Sequence, residues 1–455
     1  MVLLVNTRTL LRLLAAVYVV AFASWGVQAQ GLIGSRGILP ASDFLAGVHR
    51  QLGGAAYWNC PTVFWLNASD GALRAAWILG VLCSLTAVIA PWKLTRWKPV
   101  TRVALGGCLA LWLSLGTVGQ DFLSFQWDVL LLEAGFLALF ADDSPVRIWL
   151  FRWLIFRLMF YSGAVKLLSH DPSWHNLTAL HYHYWTQPLP TPLAWYMEQL
   201  PMWFQEASTA FTLFVELVAP FLFFAPGPIR RVAAWLAIGL QVLILLTGNY
   251  TFFNWLAIIL TLFLFVEPKR EARGRAHLAV DIALVAFIGV VSACVTLQIF
   301  SVDLPFESAI LRAVEPLRIV NSYGLFAVMT TERPEIVVEG SNDGVSWLAY
   351  EFPYKPGDVR RAPPLVAPYQ PRLDWQMWFA ALSNYRNNRW FVGFMLRLLE
   401  GERSVLGLMR YNPFPNAPPK YIRARVYLYE FTTFGEAGWW RREERGLYFP
   451  AVSLK

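Results

Sequence analysis

The chain has 455 residues, 56% of them hydrophobic and only 15% charged, and carries a formal net charge of +8. Soluble domains hold roughly a quarter charged residues, so this balance excludes an ordinary soluble protein and places the chain among membrane proteins. The basic excess argues against nucleic-acid binding, because much of it sits in short loops beside apolar runs, where such charge sets topology.

A helix needs about 20 apolar residues to cross the hydrocarbon. Apolar runs at 12–33, 75–91, 103–119, 121–141, 148–168, 207–225, 231–248, 252–267 and 278–298 predict about nine spans. The fourth and eighth are the weakest and could be re-entrant. The first, preceded by Arg8 and Arg12 and followed by Gln28, Ala29, Gln30 and Gly31, has features of a cleaved signal peptide. Its length and the spans behind it favour an uncleaved helix.

Basic residues fall on alternate loops. Arg8 and Arg12 precede the first span. Lys93, Arg96, Lys98 and Arg102 follow the second, Arg147 the fourth, Arg230 and Arg231 the sixth, and Lys269, Arg270, Arg273 and Arg275 the eighth. The intervening stretch 34–74 has few basic residues and 169–206 has none. Cytoplasmic loops carry the Lys/Arg excess. The expected arrangement is a cytoplasmic N-terminus and, after nine crossings, an exoplasmic C-terminal region. Loss of a pair of spans would leave that conclusion intact.

On the expected outer side lie three glycosylation sequons, at Asn67, Asn176 and Asn249, and a loop carrying His170, His175, His181 and His183. No carboxylate or thiol pattern completes a metal site around these imidazoles. The four cysteines, Cys60, Cys83, Cys108 and Cys294, contain no C-x-x-C pair. Neither metal nor cofactor is expected.

Ionisable groups inside a span cost about 2.5–3.5 kcal/mol each on insertion scales. The fourth span holds Asp128 and Glu133, and the fifth Arg152, Arg157 and Lys166. In a hairpin of these two helices, Glu133 and Arg157 lie about 12 and about 11 residues from the outer ends, at nearly equal depth, so they should pair. Asp128 should lie level with Tyr161 and within reach of Lys166. Glu216 of the sixth span is a candidate for the same polar cluster. Such a cluster either locks the helices structurally or lines an outward-opening polar cavity.

From about Pro334 the composition changes. Residues 335–352 read as two strands around a turn at Asn342, Asp343 and Gly344, two amphipathic helices are expected near 373–383 and 388–409, and 421–431 alternates as a half-buried strand. This is a small α+β unit. Its aromatics Trp375, Trp378, Phe379 and Phe414 are candidates for binding an apolar or partly folded protein surface. No nucleophile elbow, zinc-protease helix, phosphate loop or dinucleotide fingerprint occurs.

Several segments carry a family likeness. Tyr57-Trp-Asn-Cys-Pro-Thr-Val-Phe-Trp, Phe125-Gln-Trp-Asp-Val-Leu-Leu-Leu-Glu-Ala-Gly-Phe, Arg372-Leu-Asp-Trp-Gln-Met-Trp-Phe-Ala-Ala-Leu, and Asn412-Pro-Phe-Pro with Ile422-Arg-Ala resemble the lipase maturation factors over nearly the whole chain. The resemblance implies a multi-pass protein of the endoplasmic reticulum membrane, a chaperone-like folding factor. Its lumenal C-terminal region would engage secreted lipases. A more distant likeness, Tyr161-Ser-Gly-Ala-Val-Lys-Leu-Leu with Trp174 downstream, is similar to the membrane domain of vitamin K-dependent carboxylase, and it matches Lys166 to a catalytic lysine there.

The expected fold is therefore a membrane all-α bundle over 1–300, an interfacial connection over 301–333 and an exoplasmic α+β domain over 334–455. The expected function is maturation of exported proteins, with lipid and secreted lipases as partners and no nucleic acid. The location would be the endoplasmic reticulum membrane in a eukaryote, or the inner membrane with a periplasmic C-terminus in a bacterium. The alternative is a membrane-embedded enzyme using Lys166 as a base on a quinone-like or lipid substrate. A transporter is disfavoured by the lack of an inverted repeat.

Overall fold

A computed structural model describes residues 6–90, 98–269, 274–302 and 304–454. Lys93, Arg96, Arg270 and Arg273, four of the topology-setting residues, lie outside them.

Helix α1 (Thr7–Gly26) starts where the Asn6 side chain accepts from the Thr9 amide at 3.0 Å. The amphipathic α2 (Ala41–Leu52) follows, then α3 (Asp70–Ile89), capped by Ser69, and α4 (Lys98–Val118). Next come α5 (Gln126–Phe140) and α6 (Pro145–Leu168); the latter is started by the Ser144 cap and a proline whose missing N–H is no loss at that position. The connection 169–206 folds into short helices that include α7 (Ala179–Thr186) and α8 (Pro192–Glu198). The bundle closes with α9 (Met202–Leu217), α10 (Gly227–Thr247), α11 (Phe253–Thr261) and α12 (Arg275–Ile299).

Seven helices among the described residues are long and apolar enough to cross a membrane. The two remaining expected spans, the fourth and the eighth, are short helices. With 15 residues α5 is roughly 22 Å long against a hydrocarbon of about 30 Å, and α11 is shorter still. Both begin against residues 364–375. Trp127 at the start of α5 and Tyr250 just before α11 each meet the Trp375 ring, with centroids 4.9 and 5.8 Å away. Asn249 donates to the Pro364 carbonyl at 2.8 Å and accepts from the Val366 amide at 2.7 Å.

At the other end of these helices the basic residues gather. Arg147 pairs with Asp142 and Asp281 at 2.8 and 2.9 Å, Arg230 with Glu267 at 2.7 Å, and Lys269 with Asp143 at 3.1 Å. Three of the alternate basic loops thus meet at one end of the bundle, away from the unit formed by residues 334–455.

The C-terminal half holds one antiparallel sheet, order β2-β1-β3-β4, made of β1 (Pro334–Ser341), β2 (Leu348–Ala349), β3 (Tyr421–Phe431) and β4 (Trp440–Val452). Ile336 and Val338 of β1 and Ile422 and Ala424 of β3 share the buried face. Helix α13 (Glu307–Val314) precedes the sheet, and α14 (Arg372–Ala381) and α15 (Arg389–Leu399) pack on it.

Three expectations change here. Strand β4 was not foreseen, because its Arg441–Arg445 run is charged and does not alternate. The long second helix stops at α15, since Gly401 turns the chain at φ +67 before a single turn at Arg403–Leu406. And α14 is buried on almost every side instead of being amphipathic. The reason is that a single hydrophobic core runs through both halves of the molecule.

Candidate functional site

The intramembrane charges expected to form one cluster separate into three sites. The expected reach of Asp128 to Lys166 is overturned. Asp128 takes a bidentate pair from Arg372, with Nη1 and Nη2 at 2.8 and 2.9 Å. Arg372 also donates to the Phe122 carbonyl at 2.7 Å and lies over the Trp25 ring. It is the first residue of α14, so the C-terminal half supplies the counter-charge. Beside it, Gln370 accepts from Trp127 Nε1 at 2.8 Å, and its carbonyl accepts from Gln28 Nε2, also at 2.8 Å.

Glu133 does meet Arg157, as their equal depth implied. The carboxylate also accepts from the Tyr323 hydroxyl at 2.7 Å and from the Asn321 amide at 3.2 Å. Again a later segment, the one joining α13 to the sheet, completes the site. Tyr161 joins neither pair; its hydroxyl lies 2.6 Å from Thr296 Oγ1 of α12.

Lys166 forms the third site. Its ammonium donates to Glu216 Oε2 at 2.7 Å and to the Ser162 carbonyl at 3.1 Å, and stands 5.2 Å from the centre of the Trp174 ring. Gly163 makes this possible: a Cβ there would sit 2.8 Å from Leu217 and 2.9 Å from Glu216, so only glycine lets α6 and α9 approach so closely. Lys166 thus has two acceptors within the bundle, one of them the Glu216 carboxylate.

This pair borders a cavity of about 340 Å3 between α6, α9 and α10. Leu158, Phe211, Leu240 and Ile244 make much of its wall, and Ser162, Thr212 and Gln241 are among its polar groups. The roof is the helical connection missed as anything more than a loop. His183 and Tyr184 of α7 and Leu193 and Met197 of α8 face downward, with Phe326 beside them. Burial, reinforced by the Lys166 charge, pushes the His183 imidazole down to about 3, so it is neutral at physiological pH. Tyr250, whose hydroxyl lies 3.2 Å from His183 Nε2 and donates to Gln187 Oε1 at 3.0 Å, is pushed well above its usual range by burial.

The C-terminal half holds this roof in place. Arg333 donates to the carbonyls of Trp185 and Pro188, both at 2.8 Å, and to that of Gln187. Trp378 Nε1 donates to the Thr186 carbonyl at 2.8 Å, and Trp195 Nε1 to Thr432 Oγ1 at 3.1 Å.

These contacts correct two of the surface candidates. Trp375 and Trp378 are 3% and 6% exposed and belong to the interface between the halves. Phe379 is 42% exposed, and Phe414 is partly buried against Tyr350. Asn249 is likewise not a free sequon, because its amide is buried in the Pro364–Ala367 latch. Asn67 and Asn176 are exposed. Arg372 and Arg333 were overlooked as site residues. Arg372 lay in plain view, a charge opening an aromatic-rich stretch.

The fold and site together define a multi-pass helical membrane protein whose α+β unit is docked on the bundle and holds the helical connection above a cavity. A family model described as the lipase maturation factor transmembrane domain matches residues 5–271, and one described as the lipase maturation factor C-terminal domain matches residues 319–450. Lipase maturation factor 2 of Gallus gallus is 36% identical, with 97% of this chain and 80% of the relative covered. The human protein of that name is also 36% identical, at 97% and 81% coverage. Lipase maturation factor 1 of Bos taurus is 35% identical, with 98% of this chain and 88% of the relative covered. No solved structure matches. The chain belongs to the lipase maturation factor family.

Proposed function

We propose that this protein is a membrane-embedded, chaperone-like maturation factor for exported proteins, with secreted lipases as its client class. The observation that carries this reading is the extent of the family likeness, which spans both the bundle and the α+β unit. The relatives' names supply the client class.

The working side is proposed to be exoplasmic. The alternate basic loops, three of which meet at the end opposite the α+β unit, support a cytoplasmic N-terminus and an exoplasmic unit over 334–455, joined to the 1–300 bundle by residues 301–333. That side is the lumen of the endoplasmic reticulum in a eukaryote and the periplasm in a bacterium. The C-terminal unit is proposed to engage the client through exposed aromatics, Phe379 at 42% and Phe434 at 68% exposure.

Rescue of a secreted lipase in cells lacking the factor tests this, read as lipase activity per secreted molecule. Truncation before residue 334 would strip Arg372 from Asp128, so point changes are cleaner. Phe379→Asp with Phe434→Asp should lose rescue at unchanged protein level. Full rescue by that double variant would remove client engagement from this surface. An unaltered chain that fails to rescue any secreted lipase would sink the client class.

A further inference from the structure

We propose that the cavity under α7 and α8 is a binding site for an uncharged amphiphile, a hydrocarbon chain with a hydroxyl- or carbonyl-bearing head. This goes beyond the maturation role and is read on the purified chain without any lipase.

The size is right for a ligand: about 340 Å3 lies at the small end of ligand pockets, which run from roughly 300 to 1,000 Å3. The walls are mainly aliphatic and aromatic, suited to a chain. The head is selected by charge closure. The cavity's one lysine is neutralised in place by Glu216 at 2.7 Å, and its remaining contacts are the Ser162 carbonyl and the Trp174 face. The other titratable groups on the lining, His183, Tyr184 and Tyr250, face burial that keeps each of them uncharged. Nothing is left over to balance a fatty-acid carboxylate or a phosphodiester, and an unbalanced buried charge is strongly disfavoured.

A second observation points to a neutral hydrogen-bonding head. Gln241 is 4% exposed and lines the cavity. Its Oε1 accepts from Asn254 at 2.9 Å, but the contact of its Nε2 is the Met159 sulfur at 3.8 Å, a weak acceptor. A buried amide donor so poorly served is a place for a ligand oxygen. Thr212 and Ser208 lie one and two turns from Glu216 on α9 and extend the polar seam along the wall.

The experiment is thermal unfolding of the full chain in detergent with three probes at equal concentration: 1-monooleoylglycerol, sodium oleate and dioleoylphosphatidylglycerol. Monooleoylglycerol should raise Tm saturably, by about 3 °C near a hundredfold excess over Kd, and the two anions should not. Ser208→Trp, which fills the cavity, should abolish the shift. Glu216→Gln, which leaves Lys166 unbalanced, should transfer the response to oleate. Equal stabilisation by oleate and monooleoylglycerol in the unaltered chain overturns the proposal, as does a shift that survives Ser208→Trp. Should that variant not fold, a monoacylglycerol with a diazirine in its chain decides the matter. Labelling of peptides from 204–216 and 240–247 that excess monooleoylglycerol competes away supports the site. Labelling that is not competed, or that falls on α3 and α12 alone, removes it.

Discussion

The Asp128–Arg372 site and the Lys166–Glu216 site start from the same signal, an ionisable residue in an apolar helix, and end as opposites. Asp128 is closed over by α14, with a bidentate arginine, a backbone carbonyl and three aromatic rings around that guanidinium. Lys166 pairs within the bundle, and one side of its pair opens on a cavity. An intramembrane charge therefore does not announce its role. A pair covered by the docked unit makes a fastener between domains; a pair that borders a cavity makes a site.

Breaking the fastener should have the largest effect. Arg372→Leu leaves Asp128 buried and unpaired, a loss of about 3–5 kcal/mol. It should lower the Tm of the detergent-solubilised protein and make the α+β unit sensitive to limited protease. Wild-type protease resistance in that variant means the pair does not hold the halves together. Second come Glu133→Gln and Arg157→Gln. Each removes one partner of a buried pair, and the double variant should lose less than the sum by about 1–3 kcal/mol in a mutant cycle. Additive losses would falsify the coupling.

At the cavity the same operation should matter less. Lys166→Met leaves a carboxyl that can protonate beside open space, and the expected loss is about 1–2 kcal/mol, with lipase rescue retained. Loss of all rescue at normal protein level and unchanged Tm would instead favour a chemical role for Lys166.

The smallest effect is that of pH on His183. An unfolded imidazole titrates near 6.5 and the folded one at about 3, so the unfolded chain binds the extra proton between these values and stability falls as pH falls. From pH 7 to 5.5 the loss should be about 1 kcal/mol. His183→Gln should flatten that part of the Tm profile, and an unchanged slope would place the acid sensitivity elsewhere.

Much of this was legible beforehand. Apolar length placed nine helices among the described residues, and the two expected to be weakest, at 121–141 and 252–267, are the two that proved short. Equal depth brought Glu133 to Arg157, because two adjacent antiparallel helices share a simple ruler. The match failed for Asp128 because its partner lies 244 residues away, and no local ruler spans that distance. Trp375 and Trp378 looked like surface for the same reason: an aromatic on a helix gives no sign of whether another domain will cover it. Asn249 read as a sequon because three residues suffice for that motif, while its burial depends on Pro364 and Val366.

The sequence alone determined that the chain crosses a membrane many times, which ends of its helices carry the basic residues, and which family it resembles. These follow from hydrophobic length, charge spacing and residue identity, all of which act locally. Only the tertiary structure decided that α14 completes the short α5 and α11, that Arg372 answers Asp128, and that a cavity lies beneath α7. Those outcomes depend on which surfaces the folded halves press together. A buried charge takes whatever counter-charge that packing delivers, from however far along the chain it comes.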